Sequence, residues 1–172
     1  SVLPRLIALE MGTLEDPERA YESAKALVKV SQDRDEHLDR LEALASDTER
    51  WPDLVDFLES LLGHDPSDVD LLRRTGGLAL TQLDDMDRAM VHERSILTID
   101  PSDAQARDAI TTILTDAERW EDLVEHLRGI GSGPEDPGTR REALLMAAEV
   151  LDDHLERLGD AASLLQSAVA LD

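Results

Sequence analysis

Five histidines are the side chains best suited to metal or proton chemistry: His37, His64, His92, His126 and His154. On a helix, a metal site needs ligands three or four residues apart on one face. None of the five has a second histidine at that spacing, and the chain has no cysteine. They are expected to be structural or surface residues. The run Asp84-Asp85-Met86-Asp87 gathers carboxylates but lacks the alternating spacing and glycine of a calcium loop, so a solvated turn is expected.

The stretch Gly129-Ile130-Gly131-Ser132-Gly133-Pro134-Glu135-Asp136-Pro137-Gly138 has the glycine content of a phosphate cradle. Such a cradle follows a strand and carries a lysine at a helix start. Here a helical pattern precedes, no lysine follows, and Glu135 and Asp136 would repel phosphate. A flexible connection, the best candidate hinge, is expected. No serine elbow, dinucleotide fingerprint or zinc-protease helix occurs, so no catalytic residue and no cofactor are expected and the chain reads as a non-enzyme.

Acidic residues outnumber basic ones 39 to 17, for a formal charge of −22. That excludes an electrostatic footprint for nucleic acid. Residues 1–86 and 87–172 each carry −11, so no tail concentrates the charge. No apolar run approaches the ~20 residues of a membrane span. The ends, Ser1-Val2-Leu3-Pro4-Arg5 and Ala168-Val169-Ala170-Leu171-Asp172, both read as helix interior. A piece of a longer bacterial-type protein is expected, cytoplasmic by default.

The elements are set by repetition. Glu49-Arg50-Trp51-Pro52-Asp53-Leu54-Val55-Asp56-Phe57-Leu58 matches Glu118-Arg119-Trp120-Glu121-Asp122-Leu123-Val124-Glu125-His126-Leu127 at seven of ten positions, 69 residues on. Asp65-Pro66-Ser67-Asp68 recurs as Asp100-Pro101-Ser102-Asp103 after 35. Both offsets give one unit of 34 or 35 residues. Each unit reads as two helices. Trp51, Leu54, Val55, Leu58, Leu61 and Leu62 form one apolar stripe, and Trp120, Leu123, Val124, Leu127 and Ile130 another. Both tryptophans are therefore expected in the core.

Helix ends are also written in the sequence. Ser67, Ser102 and Thr139 are expected N-caps, with Gln105 and Glu142 completing capping boxes. Pro17 after Asp16, and Pro52, suit first turns. Gly63 and Gly129 suit left-handed C-caps.

With these residues the chain resembles the tetratricopeptide repeat family. Gly77, Ala89 and Pro101 keep the family's small, small, proline pattern at intervals of twelve, and Ala8 with Ala20 keep part of it. In the last unit Ala148 and Ala162 stand fourteen apart, implying a longer first helix or turn. The resemblance implies an all-α chain, an α-solenoid of about five antiparallel helix pairs in a right-handed superhelix. The approximate repeats are 1–32, 33–66, 67–101, 102–138 and 139–172, as a single array. Small residues would allow close helix crossing.

The resemblance also implies that first helices line a concave face. Its partner-facing positions map to Arg5, Leu9, Glu36, Asp39, Ala43, Leu71, Arg74, Leu78, Gln105, Asp108, Thr112, Glu142, Leu145 and Glu149. Some relatives clamp a terminal carboxylate with Asn and Lys. This chain has no Asn, and Lys25 and Lys29 lie on a second helix. The expected role is a scaffold that binds a protein or peptide segment, basic or neutral, in this groove. The alternative is a spacer or self-assembly module, pairing through terminal helices left open around Leu3, Leu6, Ile7 and around Leu164, Leu165, Val169.

Overall fold

The computed structural model describes residues 17–31 and 34–171. Those residues form nine helices and no strand: α1 (Pro17–Val30), α2 (Arg34–Thr48), α3 (Trp51–Leu62), α4 (Val69–Leu83), α5 (Met86–Ile99), α6 (Ala104–Asp116), α7 (Trp120–Ser132), α8 (Pro137–Asp153) and α9 (Leu158–Val169). The chain divides into two compact units, Ser1–Ala89 and Met90–Asp172. Asp16 and the expected helix before it, with Leu3, Leu6 and Ile7, lie outside the described residues.

In the first unit α1 packs on α2, α2 on α3 and α3 on α4. The core combines the predicted stripe of α3, Leu54, Val55 and Leu58, with Ala24, Leu27 and Val28 of α1, all nearly inaccessible. Tyr21 is fully buried, and burial, helped by the Asp53 charge, pushes its phenol up to about 12. Lys25 and Lys29, the only lysines, both lie over the ring of Phe57, the only phenylalanine. In the second unit α6 packs on α7, α7 on α8 and α8 on α9. Its core includes Ile110, Leu114, Leu123, Leu127, Ala147 and Leu151. At 17 residues α8 is the longest described helix, which accounts for the wide Ala148–Ala162 interval.

The repeated Glu-Arg pair is a turn device. Glu49, Glu118 and Glu156 each hold a positive φ, at 56°, 53° and 54°. The next N–H then reaches back into the preceding helix: Arg50 to the Ala45 carbonyl, Arg119 to Leu114 and Arg157 to Leu151, at 2.8–2.9 Å. This satisfies carbonyls the helix end would orphan. Each arginine then donates from Nε to the aspartate three residues on, Asp53, Asp122 or Asp160. Asp84 (φ 53°) takes the same place between α4 and α5.

Three sets of expected ends are corrected. The N-caps are Asp68, Asp103 and Asp136, not Ser67, Ser102 and Thr139. Ser67 and Ser102 instead donate to Asp65 and Asp100, and Thr139 donates to Asp136, so no capping box with Gln105 or Glu142 forms. The physical reason is that a carboxylate accepts more strongly than a hydroxyl, and each hydroxyl is oriented onto a neighbouring carboxylate rather than onto the helix's free N–H groups. Second, no described glycine has a positive φ. Gly63 ends α3 in right-handed conformation, and Gly129 lies inside α7.

Third, the glycine stretch is largely helical, and only residues 133–136 connect α7 to α8. α7 runs through Gly131 to Ser132, Arg140 donates to the Gly131 carbonyl at 3.0 Å, and Asp136 already caps α8. Glu135 is held by Arg107 at 2.6 Å, with both side chains largely buried. Gly77 does not sit at the close crossing expected of it. Gly76 is buried in line with Leu72, Thr75 and Ala79, while a Cβ on Gly77 would meet nothing within 4 Å.

Candidate interaction grooves

A helix pair turns one stripe inward and leaves its other faces open. In each unit, two consecutive first helices bound a groove. In the first unit it lies between α2 and α4 and encloses about 570 Å³. Its apolar lining is Leu38, Leu71 and Leu78, with Gly77 between them. Two of its arginines are paired within the fold. Arg74 bridges Asp39 and Glu42, and Arg34 pairs with Asp68. The guanidinium of Arg74 is raised further above its ordinary range by those carboxylates, despite the opposing effect of burial. Asp68 is half-hidden, which would raise its carboxyl. The Arg34 side chain and the Leu71 N–H outweigh this, and hold it below the usual range.

In the second unit the groove lies between α6 and α8 and encloses about 420 Å³. Trp120 and His154 form one wall, their rings stacked 3.7 Å apart and 11° from parallel. Leu123, Met146 and Val150 supply apolar lining. Thr111, Thr112 and Thr115 also line it, each hydroxyl donating to the carbonyl four residues back, at 2.7–2.9 Å.

A third cavity in that unit, about 450 Å³, lies against α7. His126 reaches the Arg107 carbonyl there at 3.2 Å, through its Nε2. Burial lowers the His126 pKa, against the opposing carbonyl bond. Among the described residues, no three His, Asp or Glu side chains gather to hold a metal ion. No described helix is long and apolar enough to cross a membrane.

The sequence-mapped positions divide. Leu71, Arg74 and Leu78 line the first groove, and Thr112 and Glu149 the second. Leu71 is only 2 % exposed, so it is core beneath the groove, a correction to its role as a contact residue. Glu36, Asp39, Ala43, Gln105, Asp108, Glu142 and Leu145 are exposed beside the grooves, outside their linings. On α2 the lining residues are Asp35, Leu38 and Glu42, one position off the mapped set. Arg5 and Leu9 lie outside the described residues. Trp51 and Trp120 are half-buried rather than core. The mapped set omits Trp120 and His154, which form the wall, and Thr111 and Thr115, which share a helical face with the mapped Thr112.

No family model matches the chain. It is 28 % identical over 114 residues to the protein O-mannosyl-transferase Tmtc3 of Drosophila melanogaster, covering 66 % of this chain. The match spans 12 % of that relative's length. Two structures of MamA share the fold. One has a TM-score of 0.52 at 15 % identity, over 91 % of this chain and 88 % of that one. The other has 0.50 at 12 %, over 99 % and 90 %.

Proposed function

This chain is tetratricopeptide-like, an α-solenoid of the MamA kind, and from that premise we propose that it is a non-enzymatic scaffold module holding a segment of a partner protein between first helices. One observation carries the reading. In each unit the two first helices leave an open groove with apolar side chains at its base, 570 and 420 Å³, room for a few side chains of an inserted segment. Such grooves take extended or helical segments by apolar anchors, with polar rims setting selectivity.

The test is selection of random displayed peptides on the full chain. Enriched sequences are expected to lose binding to a Thr112→Arg/Glu149→Arg variant and to keep it with Glu121→Arg, on exposed second-helix surface. Absence of enrichment, or binding that survives both the double variant and Leu78→Arg in the α2–α4 groove, overturns the reading.

A second reading, self-assembly, has one observation in its favour. Leu158, Leu165 and Val169 are 67, 45 and 70 % exposed on one side of α9, whereas Leu164 is buried. The corresponding face of α7, with Val124 and Leu127, is buried. Concentration-dependent growth in light scattering supports assembly, and strict monomer behaviour contradicts it.

A further inference from the structure

Resting on that scaffold reading, we infer that the α6–α8 groove selects a partner segment presenting an arginine or lysine side chain beside an apolar one. The argument starts from helix ends. Asp116 is the last residue of α6 and Asp153 the last of α8, and both face this groove. A helix C-terminus already carries about half a negative charge, so a carboxylate there is unfavourable. Neither helix has a basic residue in its last turn to offset it. Glu149 adds a third carboxylate to the lining. None of the three has an ion-pair partner among the described residues.

The threonines add to this polarity. Their hydroxyl protons are spent on backbone carbonyls, so towards the groove they offer lone pairs. The lining therefore consists of acceptors around an apolar base, its side-chain donors confined to the ring N–H groups of Trp120 and His154. The carboxylates do not converge as a metal cage would require. A guanidinium carries five donors and an ammonium three, on an apolar stem that suits Leu123 and Met146. The α2–α4 groove is the internal control. Its lining sets Arg34, Arg73 and Arg74 against Asp35, Glu42 and Asp70, so its carboxylates are balanced by guanidinium groups of the same lining.

The two tryptophans make the inference testable in the intact chain, since Trp120 lines this groove and Trp51 lies in the other unit. The isotope-labelled chain is titrated to millimolar Ac-Leu-Arg-Leu-NH2, with the Gln and Glu peptides as controls. The Arg peptide is expected to move the Trp120 indole signal, leave Trp51 unmoved, and bind about ten-fold tighter than the Gln peptide, the effect of one charge-assisted contact. Glu149→Gln/Asp153→Asn, on exposed positions, is expected to fold normally and abolish that preference. No response, equal binding of Arg and Gln peptides, shifts confined to α2 and α4, or a preference that survives the double variant overturns it. If library-selected peptides still bind between first helices in that case, only the charge selection has failed. If none bind, the scaffold reading has failed with it.

Discussion

Gly131 of α7 lies directly beneath Leu144 of α8: a Cβ on Gly131 would stand 2.6 Å from Leu144 Cγ, closer than carbon atoms approach. Leu144 is itself buried, so the branch point has little room to withdraw. Gly131→Ala is expected to cost about 1–3 kcal/mol of stability, the usual cost of overpacking. Gly129, two residues earlier in the same helix, meets nothing within 4 Å. Gly129→Ala is expected to stabilise by up to about 1 kcal/mol, because alanine loses less backbone freedom in a helix. Urea denaturation of both variants checks the pair, and equal effects would contradict the packing described.

The Asp-Pro-Ser-Asp repeat makes one structure twice. Asp65 Oδ1 accepts the Ser67 N–H and hydroxyl, as Asp100 Oδ1 does from Ser102. Asp68 and Asp103 then cap their helices by accepting from Leu71 and Ala106 N–H at 2.9 and 2.8 Å. Asp68→Ala and Asp103→Ala are expected to cost about 1 kcal/mol each. Ser67→Ala and Ser102→Ala should cost less, since a solvent-exposed hydroxyl bond is readily replaced by water. Thermal unfolding of the four single variants would show the reverse order if serine were the cap.

Glu118 holds a left-handed backbone that costs an L-residue about 1–2 kcal/mol. Glu118→Gly is therefore expected to raise the melting temperature, with a net gain below about 1 kcal/mol after glycine's greater unfolded-state entropy. A loss of stability would mean that the Glu118 side chain contributes more than its backbone costs.

His126 and Asp68 both contribute to the acid dependence. Burial lowers the His126 pKa, so the unfolded chain takes up that proton first. Its contribution is complete above about pH 6.5 and declines as pH falls below that value. Asp68 is held below the ordinary carboxylate range by Arg34 and the Leu71 N–H, against desolvation. Its contribution is present above about pH 4 and is lost as pH falls through its folded value. Urea midpoints across pH should show the upper decline flattened by His126→Gln and the lower one by Asp68→Asn. Unchanged profiles would contradict the assignment.

Much of the fold was legible because helix pairs write their period into the sequence. The Trp51 and Trp120 segments fixed the unit length, and their stripes bury Leu54, Leu58, Leu123 and Leu127 as expected. What misled was chemistry shared by adjacent residues. Serine and aspartate both cap helices, and only the Asp65–Ser67 bond shows which is free to do so. Glycine suits a left-handed end, yet here glutamate holds that place at residues 49, 118 and 156. A third Glu-Arg-x-x-Asp, at 156–160, escaped notice because the longer α8 moved it off the regular interval. The grooves were legible only in part. A shift of one position on α2 exchanges Glu36 and Asp39 for Asp35 and Leu38 in the lining. Trp120 against His154 pairs the start of α7 with the residue that ends α8, 34 positions on, which the pattern of a single helix cannot show.

Amide hydrogen exchange of the full chain, with and without a library-selected peptide, tests most directly whether first helices form the binding surface. Slowed exchange is expected in Thr111–Asp116 and Met146–Asp153, with the outer face of α9 unchanged. Protection confined to the second helices α3, α5, α7 and α9 would contradict the account.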